Sequence, residues 1–403
     1  PLVRLHRKMK TTNTDCVLVS LVLLSLLAVC LAGPSIHPRP DWKSLGHKSK
    51  PQSLGTLNWT ANLTRLNNGM PIISSSYPQG QSSSAFTYNY NGAVVGSHTN
   101  QGTVSLVVRT QNLTAPYGPY DVGPSRLAYV TGSYTQQGRY QFYPIQAGSI
   151  VFEGVGPEEN YGVEDPRIVF RQKTQEWIML YTAVEKFPNG TLSAKLSMAV
   201  TKNPRFFWER RGPLFPDIAW SKSGSLLLRD DVPGSPHFLI FGDSSLMPGI
   251  QMAISYDLVK WDILPGLFLE VRTDSWDSAL VEAGPMPLQL ITGDYLFIYN
   301  SARGGFPSKK PGYQFQYNVG WLVLDYKNPT KILHRSDEPI LSPVLDWETG
   351  SGDNLALVPN VVFCEGWHYA GGLGGWRNAG AMILYYGGAD SVMGSALLTI
   401  QKN

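Results

Sequence analysis

The chain has 403 residues, with 33 Lys and Arg against 30 Asp and Glu, a net charge of +3 and only 16% of residues charged. That length can bury a large core, and so small an excess of positive charge argues against a nucleic-acid surface, which needs a concentrated basic field. The 40 Gly, 29 Pro, 11 Trp and 20 Tyr suit many short strands joined by tight turns, with aromatic faces to spare for a ligand.

Residues 1–33 read as a targeting segment. Val17 to Ala32 is almost wholly apolar, with basic residues upstream and small residues at its end. The run is short of the roughly 20 residues of a membrane span and normal for the core of a signal peptide. Taken from Met9-Lys10, it predicts a secretory signal cleaved near Ala32. The alternative is an uncleaved type II anchor with the rest of the chain in the lumen. Four Asn-x-Thr acceptors, at Asn58, Asn62, Asn112 and Asn189, fit a secreted or lumenal glycoprotein. Residues 34–55, rich in Pro, Ser, Lys and His, read as a linker. Residues 56–403 are then the folded domain. Cys16 and Cys30 fall in the targeting segment, so Cys364 has no intrachain partner there; in Val361-Val362-Phe363-Cys364 it reads as a small buried apolar residue.

Beyond the linker one theme recurs, a short apolar strand followed by a loop and a second alternating strand. Val104 to Arg109 pairs with Ser125 to Val130, and Trp177 to Tyr181 with Leu196 to Val200. His237 to Phe241 pairs with Gln251 to Ser255, Tyr295 to Tyr299 with Val319 to Leu324, and Met382 to Tyr386 with Gly394 to Ile400. No long 3.6-residue period occurs outside the N-terminal apolar run. Five copies of a strand pair predict an all-β, five-bladed β-propeller, with tandem β-sandwiches as the alternative.

A propeller places its ligand where the strands nearest the axis meet the central channel. The polar residues at such ends are Asn91, Arg109, Glu164, Asp165, Lys195, Lys222, Glu282, Asn360 and Asp390. Carboxylates, amides and cations in one funnel suit a polyhydroxylated ligand, phosphate-bearing where the cations are used. Gly162-Val163-Glu164-Asp165-Pro166-Arg167-Ile168 is the most distinctive segment. Proline fixes its own backbone and restricts Asp165, and Arg167 can neutralise or orient a carboxylate. Each residue also has a plain reading: Glu164 with Arg167 as a structural ion pair, Arg109 and Lys195 as strand-end cations, Asp390 as an Asx-turn residue. No nucleophile elbow, P-loop or dinucleotide fingerprint occurs, and the seven His show no zinc spacing. No metal and no cofactor is expected.

The ordered motifs resemble glycoside hydrolase family 130, the β-mannoside phosphorylases and β-mannosidases. They are the Glu164-Asp165-Pro166-Arg167 segment with Tyr181-Thr182-Ala183, Glu282-Ala283-Gly284-Pro285, Tyr299, Leu324-Asp325-Tyr326, Val358-Pro359-Asn360 and Tyr385-Tyr386-Gly387-Gly388-Ala389-Asp390. The resemblance implies a five-bladed propeller that attacks the anomeric carbon of a β-mannoside oligosaccharide or glycan with inversion. It implies Asp165 as the acid, reaching the leaving oxygen through a sugar hydroxyl. Asn91, Arg109, Glu164, Glu282, Tyr299, Asn360 and Asp390 would bind substrate. Lys195 and Lys222 would bind inorganic phosphate, the co-substrate of a phosphorylase. The chain departs from the pattern at Val184, where a cation is expected, and at Lys195, where an arginine is expected. That departure, with the secretory signal, favours hydrolysis over phosphorolysis. Water then needs a base, for which Glu158, Glu159 and Asp243 are candidates; a phosphate dianion needs none. A non-catalytic glycan-binding propeller is the reading from a different class. A five-bladed arabinosidase or fructosidase would need an early Asp in the first blade that is not found.

Overall fold

A computed structural model describes residues 59–74, 86–98, 102–112, 122–134, 140–243, 247–308, 310, 312–351, 356–370 and 380–402. The chain divides into Pro1–Thr56 and Leu57–Asn403, and every described residue lies in the second unit. The expected targeting segment (1–33), the expected linker (34–55) and Asn58 therefore lie outside the described residues.

The first strand, β1 (Trp59–Arg65), alternates buried and exposed residues along its length, as a strand at a sheet edge does. Blade I follows as β2 (Tyr88–His98), β3 (Thr103–Gln111), β4 (Arg126–Tyr134) and β5 (Tyr140–Phe142), with β6 (Ile150–Glu153) also on β4. Blade II is β7 (Gly162–Arg171), β8 (Glu176–Lys186), β9 (Leu192–Thr201) and β10 (Glu209–Pro213). Blade III is β11 (Gly224–Leu227), β12 (His237–Phe241), β13 (Gly249–Ser255) and β14 (Asp262–Ile263), with β15 (Leu269–Glu270) on β13. Blade IV is β16 (Leu280–Ala283), β18 (Tyr295–Gly304), β19 (Phe315–Leu324) and β20 (Ile332–Arg335), with β17 (Leu288–Gln289) on β18. Blade V is β21 (Val362–Tyr369), β22 (Ala381–Gly388) and β23 (Val392–Lys402), completed by β1 as its outer strand. Among the described residues, helix is confined to short turns such as Asp346–Thr349.

The five strand pairs read from the sequence are all present and antiparallel. Their registers include Leu106↔Val130, Met179↔Ala199, Leu239↔Ala253, Ile298↔Trp321 and Leu384↔Ala396. They are the second and third strands of their blades. The strand nearest the axis precedes each pair, and in blades III and IV it is only four residues long, too short to carry a period of its own.

The core lies between blades. Leu180 and Leu196 of blade II meet Leu226 and Leu239 of blade III, all at most 1% exposed. Each such leucine contributes about 1.5–3 kcal/mol on burial. Equivalent clusters join blades I and II, III and IV, IV and V, and V and I, so the ring is continuous. It is closed by β1, whose seven residues pair with β23 from Trp59↔Lys402 to Arg65↔Ala396. Arg65 fastens the seam: its Nε and Nη2 each donate at 2.8 Å to the fully buried Glu348, which also accepts from the Tyr386 hydroxyl at 2.9 Å.

Candidate active site

The inner strand of blade II skips register between Glu164 and Arg167, so Asp165 and Pro166 form a bulge. Bulges re-aim side chains, and here the residue in the left-handed region is Asp165, at φ 52°. Asn91, Ser223, Asn360 and Asp390 share that conformation, at φ 48°, 62°, 62° and 49°. Each is a non-glycine residue in a sparsely populated state costing on the order of 1 kcal/mol. The strained residues of four blades thus gather at one end of the inner strands. Gly162, at φ 124°, lets the chain pass Ser125, whose backbone nitrogen would lie 2.6 Å from a Cβ there.

Arg109 on β3 organises the acids. Its Nη1 donates to Asp165 Oδ1 at 2.8 Å, its Nη2 to Glu164 Oε1 at 2.7 Å and its Nε to Ser125 Oγ at 3.0 Å. The guanidinium lies over the Tyr90 ring at 4.8 Å. Asn91 Nδ2 donates to the same Asp165 oxygen at 3.1 Å, and Ser125 Oγ donates to Glu164 at 2.9 Å. Burial alone would raise the Asp165 pKa, but Arg109, Lys222, Arg167 and the Asn91 hydrogen bond outweigh it and lower it to about 2. Burial raises Glu164, with Arg109 opposing. Asp390 is partly exposed at its surface yet ringed by protein. Burial pushes it up to about 6, with Arg109 pulling back and the Asp165 charge adding to the rise.

A second group faces the first. Lys222 Nζ lies 2.8 Å from Glu282 Oε1 and 3.5 Å from Asp243 Oδ2. Ser223 Oγ also donates to Glu282, and Trp220 Nε1 donates to Asp243 at 3.1 Å. Burial works against the Lys222 charge, but Glu282, Asp243 and Asp165 raise its pKa well above the ordinary lysine value.

The structure thus brings together Asn91, Arg109, Glu164, Asp165, Lys222, Glu282 and Asp390. Asn360 stands at the rim, where its carbonyl accepts from the Tyr317 amide at 2.9 Å. Two expected site residues are elsewhere. Tyr299 is wholly buried inside blade IV, stacked on Trp276, and its hydroxyl donates to Asp277 at 2.9 Å. Its position on β18 turns it into the core between blades III and IV. Lys195 sits on β9 opposite Ala183, two strands out from β7, and makes no ion pair among the described residues. Of the three candidate bases, Glu158 is on the exposed surface. Glu159 is locked by the Tyr181 hydroxyl at 2.6 Å and by Arg210 Nε at 3.0 Å. Asp243 reaches the site and is held there by Trp220 and Lys222.

Sequence reasoning missed five contributors. Ser223, just before β11, has only a serine's weak signal. Lys310, Tyr313 and Tyr317 belong to the β18–β19 connection and the start of β19. Tyr313 and Tyr317 stack at 6.3 Å and 8°, and Lys310 Nζ lies 5.4 Å from the Tyr313 centroid. Glu365 on β21 is an acid inside an apolar run, a pattern visible in Phe363-Cys364-Glu365-Gly366. Among the described residues no group of three or more His, Cys, Asp or Glu is placed to hold a metal ion.

A family model described as beta-1,4-mannooligosaccharide phosphorylase matches residues 145–402. The chain belongs to glycoside hydrolase family 130. It is similar to the 1,2-beta-oligomannan phosphorylase of Thermoanaerobacter sp. (strain X514), at 29% identity over 304 residues that cover 75% of this chain and 88% of that protein. Its fold is similar to the Listeria innocua β-1,2-mannobiose phosphorylase in complex with β-1,2-mannobiose. The TM-score there is 0.62 at 19% identity, over 85% of this chain and 97% of that one. A further structure, from work reporting family 130 hydrolases that target β-1,2 mannosidic linkages in Candida mannan, aligns with TM-score 0.64 at 24% identity, over 84% and 93% of the two chains. This family 130 protein is therefore a carbohydrate-active enzyme, a glycoside phosphorylase or glycosidase. The expectation that hydrolysis prevails, drawn from Val184, Lys195 and the secretory signal, is not supported: the curated relatives that match are named as phosphorylases. Val184 is buried against β7 opposite Gly162.

Proposed function

We propose that the protein is an inverting β-mannoside phosphorylase that cleaves β-1,2-linked oligomannosides and releases mannose 1-phosphate. The observation that carries this reading is the state of the candidate bases. Glu159 and Asp243 are held by hydrogen-bond donors and cations, and Glu158 is out on the surface, which leaves none of the three poised to activate water. Phosphate needs no such base. The linkage rests on the names of the β-1,2-active relatives.

In this reading a phosphate oxygen bonds to the anomeric carbon as the bond from that carbon to the leaving oxygen breaks. Asp165 supplies the proton to the leaving oxygen by way of a sugar hydroxyl. The proton carried by hydrogen phosphate restores it, so no net proton is exchanged with water. Glu282 and Asp390 accept hydrogen bonds from sugar hydroxyls, and Arg109 holds Asp165 in place. Lys222 provides positive potential for the attacking phosphate as a point charge, without arginine's bidentate fork.

Asp165 is held as a carboxylate at rest, which favours a second reading, a glycan-binding propeller without turnover. Purified protein given β-1,2-mannobiose with and without phosphate separates the readings. Mannose 1-phosphate formed only with phosphate is the expected product. Free mannose at equal rates in both would establish hydrolysis instead, and binding with no product would establish the second reading.

A further inference from the structure

Three neighbouring inner strands break register at the fourth residue. In β2 it is Asn91, in β7 Asp165 and in β21 Glu365. β2 and β21 lie level there: a Cβ on Gly366 would come within 2.4 Å of the Gly92 carbonyl oxygen. Asn91 and Asp165 belong to the site already described. Glu365 occupies the matching place in blade V.

Its side chain is wholly buried, and neither carboxyl oxygen has a hydrogen-bond partner among the described residues. Oε1 lies 3.4 Å from Arg167 Nη1. That same Nη1 donates to the Asp165 carbonyl at 2.9 Å, while Nη2 and Nε donate to the Ala283 and Gly284 carbonyls at 2.8 and 3.2 Å. One guanidinium thus holds the strained backbone of Asp165, spans to blade IV and meets Glu365 of blade V. A buried carboxyl without donors among the described residues is a poor source of stability, because its desolvation is not repaid. Its use lies in its charge.

We propose that Glu365 is a positioning residue for Asp165, acting through Arg167, and that its carboxyl governs how much of the proton-bearing form of Asp165 survives for the leaving group as pH rises. The inference rests on Asp165 being the acid. The groups that face Glu365 are Asp165 and Arg167 from β7, Arg109 from β3 and Glu282 from β16, with the Cys364 thiol beside it pushed up by burial. Burial, then the Asp165 charge, raises Glu365 well above the ordinary carboxyl range, with Arg167 opposing. As pH rises and Glu365 ionises, its charge favours the protonated form of Asp165. The ionised Glu365 thus opposes the pull of Arg109, Lys222 and Arg167 on Asp165, so the small protonated fraction of Asp165 falls less steeply with pH than it would alone.

The test is the pH profile of kcat/KM for wild type, Glu365→Gln and Glu365→Asp, with melting temperature as a check on folding. Glu365→Gln should match wild type at pH 5.5 and lose activity earlier on the alkaline side. The shift should be on the order of one pH unit, the scale on which a neighbouring like charge moves a carboxyl. Glu365→Asp should restore most of it. An unmoved alkaline limb, or an equal loss at every pH, overturns the proposal. A wild type that turns over no mannoside would sink the proposed function but not this coupling, which is reciprocal. Infrared spectra of the same proteins should then show a protonated-carboxyl band that Glu365→Gln removes and whose titration midpoint falls in Asp165→Asn. No band, or a midpoint indifferent to Asp165→Asn, overturns it as well.

Discussion

Asp390→Asn should make the protein more stable and less active, and the gain should exist only above a definite pH. Asp390 sits in the left-handed region at φ 49°, where asparagine is among the residues most at ease, so the exchange adds no backbone strain. Burial, partly offset by Arg109, lifts the carboxyl from the ordinary 3.8 to about 6. A raised acid pKa means that the folded state binds the proton more tightly than the unfolded chain does. The penalty is therefore absent below about pH 3.8, grows between the two values and is full above about pH 6. At 1.36 kcal/mol per unit the difference corresponds to about 3 kcal/mol, and the partial exposure of Asp390 screens that to about 1–2 kcal/mol. Urea titrations of both proteins should show nearly equal midpoints at pH 4 and a higher midpoint for the variant at pH 7.5, with unchanged slope. An asparagine variant that is less stable at pH 7.5, or equally shifted at both pH values, would refute the reasoning.

Asp165→Asn should abolish product formation while leaving the melting temperature within a few degrees of wild type; near-full activity would remove Asp165 from its role as acid. Arg65→Met strands the buried Glu348 charge and should destabilise the ring by about 3–5 kcal/mol, read as a lowered denaturation midpoint. A loss under 1 kcal/mol would show that the seam does not depend on that pair. Lys222→Met should raise KM for phosphate at least tenfold more than KM for mannobiose; an equal rise in both would assign Lys222 to the sugar instead. Asn189 is exposed in a turn where its own side chain accepts from Thr191, so expression through a secretory pathway should add a glycan there. An unchanged glycosidase-treated mass difference in Asn189→Gln would exclude it.

The five strand pairs were legible because each is a run of alternating or continuous apolar residues long enough to carry a period. The inner strands of blades III and IV were not, because four residues hold no period. Asp165 was legible through Pro166 and Arg167, whose backbone constraint and charge both mark the neighbouring acid. Tyr299 illustrates the limit. Its place among the motifs fits a ligand-facing ring, yet whether β18 turns it to the channel or the core depends on register, and a step of one residue exchanges the faces. Glu159 and Asp243 read alike as loop acids. Only the fold shows Glu159 committed to Tyr181 and Arg210, and Asp243 beside Lys222. Lys310 and Tyr313 come from a connection with no strand pattern, so only tertiary structure brings them to the rim.

The seam between β1 and β23 also sets a timetable. Of the described strands β1 emerges first during synthesis, yet its partner strand follows roughly 340 residues later, a wait of about 20–70 seconds at the usual pace of translation. Blades II to IV are each built from a contiguous stretch of chain and can assemble in turn, while β1, with Trp59 and Arg65 unmatched, stays open to other edges. β23 is the strand that locks β1, so the ring becomes whole only once β23 has left the ribosome.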